Sequence, residues 1–470
     1  MAKVVQVGSG MCGLLGAVLL ARDGHDVTVL ERDPMPPPAD PHAAWDAWER
    51  RGVTQFRLLH FLQPRFRALV DAHVPEVTTE LERFGALRFN AMSSLPTTIS
   101  GGVRPGDDRF TAITGRRPVI EAAVTAVAER TPRLTVRRGV AVAGLLTGAS
   151  PNGRRPHVTG VRTDTGEEIA ADLVIDAMGR RSPLPRWLTE IGAPPVPEEE
   201  EDCGFVYFGR HFRSRDGGLP PLTGGLLTAY GTISTLVLPA DNGTWGVAVV
   251  ASANDKALRA LKDVDRWTAV VRAIPAAAAW TEGEALTDGV DVMARIPDRH
   301  RTFVVDGEPV ATGIVALADA WACTNPSVGR GISIGLLHAL ALRDTVAATG
   351  LDDPAKLILA FADATNAVAE PWYRATLAFD RNRLAEIDAL LDGREYVPDD
   401  PSFPITQALI AGAAHDPDIL RALQSIAGML ETPDELFADA ALFEKVIGFA
   451  GQPVAPTGGP TREQLVSLVA

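Results

Sequence analysis

The sequence predicts an α/β fold, α+β overall, in which a parallel sheet is interrupted by an antiparallel one and followed by helices. Three observations carry this. VVQVGSGMCGLLGAVLLARDGHDVTVLER, residues 4–32, reads as strand, glycine turn, helix, polar turn and strand. GIVAL at 313–317 repeats the buried-strand pattern about 300 residues later and leads into a second glycine-bearing turn and an apolar helix. Between them, residues 203–250 alternate in short runs such as FVYFGRHF and STLVLP, the period-2 pattern of antiparallel strands.

At 470 residues the chain calls for two or three domains. Its 46% hydrophobic and 22% charged content is that of a globular chain in water, and a cytoplasmic one is expected. A net charge of -14 argues against a nucleic-acid partner, whose phosphates need a basic face. No basic amphipathic stretch suggests a membrane partner. Cys12, Cys203 and Cys323 lie far apart, which excludes a disulfide framework and ligand-like spacing for a metal, and fits a reducing compartment.

The N-terminal apolar run could be mistaken for an export signal. Only Lys3 precedes it, however, and Met11 to Ala21 is too short to span a bilayer. A polar turn and the strand VTVL at 27–30 follow, so the segment is expected to be a retained βαβ unit. Within it, Gly8 permits the tight turn out of the strand, Gly10 lets backbone approach a pyrophosphate, and Gly13 lets the helix pack close to the sheet. The amides near Met11 and Cys12 then point at phosphate with the positive end of the helix dipole. Glu31 ends the second strand, where a carboxylate accepts hydrogen bonds from a ribose diol, with Arg32 beside it. This much indicates a dinucleotide and leaves open which one.

The late segment decides. Asp319 ends its strand, and Pro326 precedes Gly329-Arg330-Gly331 at the start of a helix with small residues on one face. A nicotinamide dehydrogenase has no use for a second such loop, whereas an extended FAD needs both ends held.

In this order of motifs the sequence resembles the FAD-dependent monooxygenase superfamily with the para-hydroxybenzoate hydroxylase fold, over roughly residues 1–350. The resemblance implies a Rossmann-like FAD-binding domain in which Asp319 bonds the ribityl or pyrophosphate part of FAD. It also implies that Gly329, Arg330 and Gly331 lie near the flavin ring. Ala318 stands where the family has the glycine of a Gly-Asp pair, and Arg330 where it often has glutamine. GVTQFRLLH, 52–60, resembles a Gly-Val-Pro-Gln-x-Arg-His-x-His stretch of bacterial epoxidase-like flavoproteins, with Gly52, Gln55, Arg57 and His60 on the pattern and Thr54 and Leu58 off it. RRPVIE, 116–121, looks like the family's Ser-Arg-x-x-Leu-Glu helix start, which gives Arg117 a reach to the cofactor. Arg57 is a further cofactor-binding candidate.

The implied organisation is discontinuous: FAD-binding residues 1–85, 110–190 and 298–350, a substrate-binding sheet of 86–109 and 191–297, and a helical region of 351–470. Within it, 158–179 reads as a hairpin and a buried strand ending at Asp176. PPVPEEEED, 194–202, reads as a linker or exposed loop. Residues 86–103 are expected to join 203–250 in the sheet over the flavin. TPDELF, 432–437, is a helix start with Thr432 and Glu435 forming a capping box. Trp372, Tyr373 and Phe379 read as core of the helical region.

The activity so implied is insertion of one oxygen atom from O2, by epoxidation or hydroxylation, into an apolar aromatic or polyketide-like small molecule through a flavin C4a-hydroperoxide. No side-chain nucleophile or metal is required, and no catalytic side chain is assigned; Tyr207, His211 and Tyr230 could donate hydrogen bonds from the sheet. Where self-sufficient hydroxylases have Ala-Asp-Gly, this chain has Ala177-Met178-Gly179, and a thioether cannot replace a carboxylate acceptor. Relatives lacking that aspartate often take reduced flavin from a separate reductase, with NAD(P)H as ultimate reductant, and a flavin reductase partner is expected here. Flavin halogenases of this fold use a lysine and Trp-x-Trp-x-Ile-Pro; no lysine occurs between Lys3 and Lys256, and Trp45 and Trp48 are wrongly spaced. The alternatives are an FAD-dependent reductase of the geranylgeranyl reductase type and a flavin-binding protein without turnover.

Overall fold

Strands too apolar to face water on either side must be covered on both, and the computed structural model, which describes residues 1–150, 153–452 and 458–470, shows how. Ile314–Ala316, Leu173–Asp176, Lys3–Val7, Asp26–Glu31 and Leu134–Arg138 form one parallel sheet in that order. The register sets Val7 beside Leu30 and Asp176, and Ala316 beside Asp176. The chain therefore leaves Val7, Glu31, Asp176 and Ala316 at one common edge, the carboxyl edge where α/β sheets bind ligands.

Helices Met11–Arg22 and Arg117–Arg130 bury their apolar faces in the core with the sheet. Helix Gly331–Thr349 joins them. It is long and apolar enough to pass for a membrane span, yet most of it is buried inside the molecule. The small residues on its face serve a close crossing: a Cβ on Gly335 would lie 2.5 Å from Cys12 Sγ, and one on Gly16 would lie 3.4 Å from the Ala339 Cβ.

A second sheet is antiparallel, in the order Leu227–Tyr230, Ile233–Pro239, Thr244–Ser252, Phe205–Arg213 and Glu284–Ala285, with Asp291–Met293 also paired to Phe205–Arg213. Residues 86–103 do not join it. Only Leu87–Asn90 is a strand, paired with Thr111–Thr114 in a separate ribbon, and Asn90 then caps a helical turn with its side chain. The asparagine and serines of NAMSS favour local caps over a ladder, which the sequence reading overlooked.

The acidic run is the other correction. Glu198–Asp202 is a strand, not a loop, paired antiparallel with Pro297–Arg301. Its carboxylates meet arginines: Glu198 lies 2.6 Å from Arg301, Glu199 2.7 Å from Arg374 and Glu201 2.7 Å from Arg381. Opposite charge across the ladder and from the neighbouring helix overrides the poor strand propensity of glutamate. The hairpin His157–Thr163 with Glu168–Ala170 forms as expected. So does the Thr432–Glu435 capping box, in which each side chain bonds the other's backbone amide. After residue 350 the chain is helical, with Pro354–Val368, Glu370–Leu391, Phe403–Ala413 and Pro417–Ala427 the longer elements.

Candidate functional site

Gly8 leaves its strand with φ +102°, and a Cβ there would lie 2.5 Å from the Ala177 carbonyl. A Cβ on Gly13 would lie 2.8 Å from the Ala177 Cβ, so helix Met11–Arg22 presses on the turn that follows Leu173–Asp176. Gly10 differs: nothing lies within 4 Å of where its Cβ would be. The glycine turn is thus tight on the protein side and open on the other, which is the cradle a pyrophosphate needs.

The open side faces a cavity of about 1460 Å³. Gly10, Met11, Cys12 and Gly13 line one end of it, and Asp319, Pro326, Gly329, Arg330 and Gly331 line it as well. Strand alternation supplies another wall: Phe205, Tyr207 and Gly209, then Ser234, Leu236 and Leu238, then Ala248 and Val250. Residues 55–63 form a further wall. Gln63 donates to the Val328 carbonyl at 2.8 Å, and Leu59 packs where Gly209 and Gly246 leave room.

Arg117 reaches the cavity as anticipated, held by Glu121 Oε1 at 2.7 Å and His60 Nε2 at 3.1 Å. His60 Nδ1 lies 2.9 Å from the Leu58 carbonyl, which can only accept, so Nδ1 carries the proton and Nε2 receives the Arg117 donor. Burial and then Arg117 push the His60 pKa down to about 3, which keeps the ring neutral. Asp319 is half-buried at the cavity wall, in the field of Arg117, Arg180 and Arg299, with desolvation pushing its carboxyl up. Burial, then Asp319, push the Cys12 thiol up to about 12, so it is packing and not a nucleophile. Ala318 adopts φ +53°, the left-handed region that makes glycine the ordinary choice before this aspartate.

The end of the second strand is arranged around the Glu31 carboxylate. Glu31 does not face the cavity; its Oε2 accepts from Ser9 N at 3.0 Å, Ser9 Oγ at 2.5 Å and Arg50 Nη2 at 2.6 Å. Its Oε1 accepts from Asp33 N at 3.0 Å. Burial would raise this carboxyl, but Arg50 and these bonds hold it below the usual range. Arg50, which no motif marked, also bonds Glu121 at 2.6 Å. Glu31, Arg50, Glu121, Arg117 and His60 thereby form one chain running from the second strand, where it is buried, to the cavity wall, where Arg117 and His60 are half-buried. Arg32 is exposed and lies over Gly52.

The two other candidate arginines take different places. Arg57 bonds the Trp48 carbonyl at 3.2 Å and faces a second cavity of about 600 Å³. Arg330 lines the main cavity, but its guanidinium bonds the Ile426 carbonyl at 3.3 Å and lies 5.4 Å from the Trp372 ring, tying the late loop to the C-terminal helices. The second cavity is arginine-walled: besides Arg57 it has Arg180, Arg181, Arg295 and Arg299, against one acid, Asp291. Asp176, capped by Ser182 and Met178 N, holds the Ala177-Met178-Gly179 turn between the two cavities.

Of the three candidate donors in the sheet, only Tyr207 reaches the main cavity, with its hydroxyl donating to Asn325 Oδ1 at 2.6 Å; His211 packs on Trp45 and Tyr230 is core. Trp372 and Tyr373 are buried as expected, but Phe379 lines the cavity, as do Asp380, Asn382 and Arg383 from the same helix. The C-terminal helices therefore wall part of the cavity, a role their sequence did not announce.

Residues 7–36 match a family described as NAD(P)-binding Rossmann-like domain. The chain is 28% identical over 361 residues to Protein Rv3254 of Mycobacterium tuberculosis, covering 72% of each. Its backbone matches PqsL of Pseudomonas aeruginosa, a probable FAD-dependent monooxygenase, with TM-score 0.58 and 18% identity, covering 83% of this chain and 99% of that one. This is the FAD-dependent monooxygenase fold. The flavin-dependent brominase Bmp2 shares it, with TM-score 0.61 and 16% identity, covering 95% of this chain and 98% of Bmp2. PqsL is also known in complex with 2-aminobenzoylacetate, a small molecule. In the monooxygenase fold of this chain, the open side of Gly10 and the shared cavity fit the pyrophosphate and flavin ends of FAD. Glu31 has its carboxylate committed to Ser9 and Arg50.

Proposed function

We propose that this chain is an FAD-dependent monooxygenase that hydroxylates or epoxidises an apolar aromatic or polyketide-like small molecule. One observation carries the reading: the early glycine turn, the late Pro326–Gly331 loop and the apolar face of the antiparallel sheet border a single cavity. Gly10, Met11, Cys12 and Gly13 would hold the pyrophosphate by backbone amides, and Arg117 and Asp319 would bond its neighbourhood. Bound flavin, once reduced, supplies the activation of O2. The protein's share is to exclude water, which the C-terminal helices do, and to orient an apolar substrate against the sheet. Residues 1–85, 110–190 and 298–350 act as the cofactor-binding part, and three free cysteines suit a reducing compartment.

The test is reconstitution with FAD, reduction, and exposure to isotopically labelled O2 with a panel of polycyclic phenols and alkenes. One labelled oxygen atom in a product supports the proposal. Alkene saturation without label would instead indicate a reductase. Bromination or chlorination is disfavoured because no lysine lines the cavity among the described residues, and halogenated product would reverse that.

Electron supply has two readings. Met178 in place of an aspartate supports a separate flavin reductase. The arginine-walled cavity on the far side of the same turn favours direct visits by an anionic nicotinamide dinucleotide. Arg181 and Arg295 are exposed, so their replacement by alanine leaves the core untouched. An NADPH-oxidase rate whose KM rises about tenfold in the double variant, roughly 1.4 kcal/mol, supports direct reduction. Turnover only with an added flavin reductase supports the partner.

A further inference from the structure

Asp380 lies on helix Glu370–Leu391 at the cavity wall, 3% exposed. One carboxylate oxygen accepts from Ser327 Oγ at 2.6 Å, in the loop between Pro326 and Gly329. The other, Oδ2, is buried with no hydrogen-bond partner. The Asn325 amide lies beside it and draws its pKa down, yet Asn325 Nδ2 is itself left without a hydrogen-bond partner. The Tyr207 hydroxyl is given to Asn325, and the Arg330 guanidinium is turned to Thr376 and Ile426. A buried acceptor without a donor is costly, and elsewhere this cavity is walled mainly by leucine, isoleucine, phenylalanine and alanine.

We propose that Asp380 accepts a hydrogen bond, and then the proton, from a hydroxyl of the bound substrate, so that the substrate is an apolar ring system carrying a phenolic or enolic hydroxyl. This rests on the monooxygenase reading, which makes the cavity a substrate site. In the transfer the substrate O–H bond breaks, its electron pair stays on the substrate oxygen, and the proton ends on Asp380 Oδ2. The resulting oxyanion enriches the ring that an electrophilic oxygen atom attacks. Burial raises the Asp380 pKa to about 7, while Ser327 draws it down, Asp298 raises it, and Asn325 and Arg330 lower it. Of the other acids nearby, Tyr207 and Cys203 are pushed up by burial and stay neutral, and burial pushes Asp298 up to about 6, so only a pH dependence that Asp380→Asn abolishes belongs to Asp380. A proton acceptor poised near neutral pH is what such a step requires.

The experiment is calorimetric binding of 2-naphthol and naphthalene to the FAD-loaded protein at pH 5 and pH 8, for wild type and Asp380→Asn. The expected result is a preference for the naphthol of about tenfold at pH 8, reduced at pH 5, and independent of pH in the variant. Asparagine keeps an acceptor for Ser327 but cannot take a proton, so a merely structural role would leave the pH dependence in place. Equal binding of the two probes, binding of neither, or an unchanged pH dependence in Asp380→Asn overturns the inference. Should the variant take up no FAD, the wild-type pH dependence decides alone. A wild-type protein that takes up no FAD sinks the monooxygenase reading, whereas a yellow protein that does not discriminate sinks this inference only.

Discussion

The Arg50 guanidinium lies 2.6 Å from the Glu121 carboxylate, and neither side chain has more than 6% of its surface exposed. Arg117 takes the other oxygen of Glu121 at 2.7 Å. One carboxylate thus balances two arginines beside the main cavity. Burial would raise its pKa, but Arg117 and Arg50 hold it below the usual range. Glu121→Ala leaves both cations buried and short of a partner, at a cost of about 3–5 kcal/mol. A thermal melt should show the loss, and Arg117 should no longer be held at the cavity, so FAD affinity falls too. An unchanged melt would mean the two arginines find water instead.

Gly8 and Gly10 separate folding from cofactor binding. Gly8→Ala forces a Cβ to within 2.5 Å of the Ala177 carbonyl at φ +102°, and the variant should be poorly folded. Gly10→Ala meets nothing within 4 Å and keeps φ -66°, so its melting temperature should match wild type. Its Cβ would nonetheless project into the cradle, and FAD affinity should drop by about tenfold or more. Retention of full affinity in Gly10→Ala would place the pyrophosphate elsewhere.

Ala318 holds a left-handed backbone at φ +53°. Strain of that kind costs about 1–3 kcal/mol, and the extra freedom glycine brings to the unfolded chain costs about 0.4–1 kcal/mol. The strain outweighs the entropy, so Ala318→Gly should stabilise the protein by about 1 kcal/mol in chemical denaturation. Ala318→Val should destabilise it.

Acid should act through His60. Its folded pKa, about 3, lies below the unfolded value near 6.5, so its contribution is fully present above pH 6.5 and is lost as pH falls towards 3. Relative to His60→Asn, the wild type should lose about 1.4 kcal/mol per pH unit across that window. Denaturation midpoints of the two proteins at pH 7, 6, 5 and 4 give the comparison; parallel curves would show that the imidazole is already solvated in the fold.

Four strands of the parallel sheet were legible because each carries its own signature, a run of β-branched and apolar residues leading to a glycine turn or an acid; the edge strand Leu134–Arg138, half-buried and ending in two arginines, carries none. Gly8, Gly13 and Asp319 could be placed for that reason. Residues 86–103 misled because a few apolar residues among serines do not distinguish a strand from capped helical turns. EEEED misled because its partners, Arg299, Arg301, Arg374 and Arg381, come from segments nearly 100 residues or more away, and no local pattern reveals charge complementarity across such a distance. Arg50 and Asp380 were invisible for a related reason. Each is an ordinary charged residue in its own segment, and only folding removes it from water and gives it neighbours.

The acidic strand has a consequence for traffic through the cavity. Arg374 and Arg381 stand on the helix that carries Phe379 and Asp380, and their clasp on Glu199 and Glu201 is half open to solvent. Contacts of that kind fade as mobile ions accumulate, with a screening length of about 8 Å at physiological ionic strength and about 3 Å in molar salt. Brine should therefore loosen the roof without disturbing the oily floor, and entry of bulky guests should quicken as electrolyte is added.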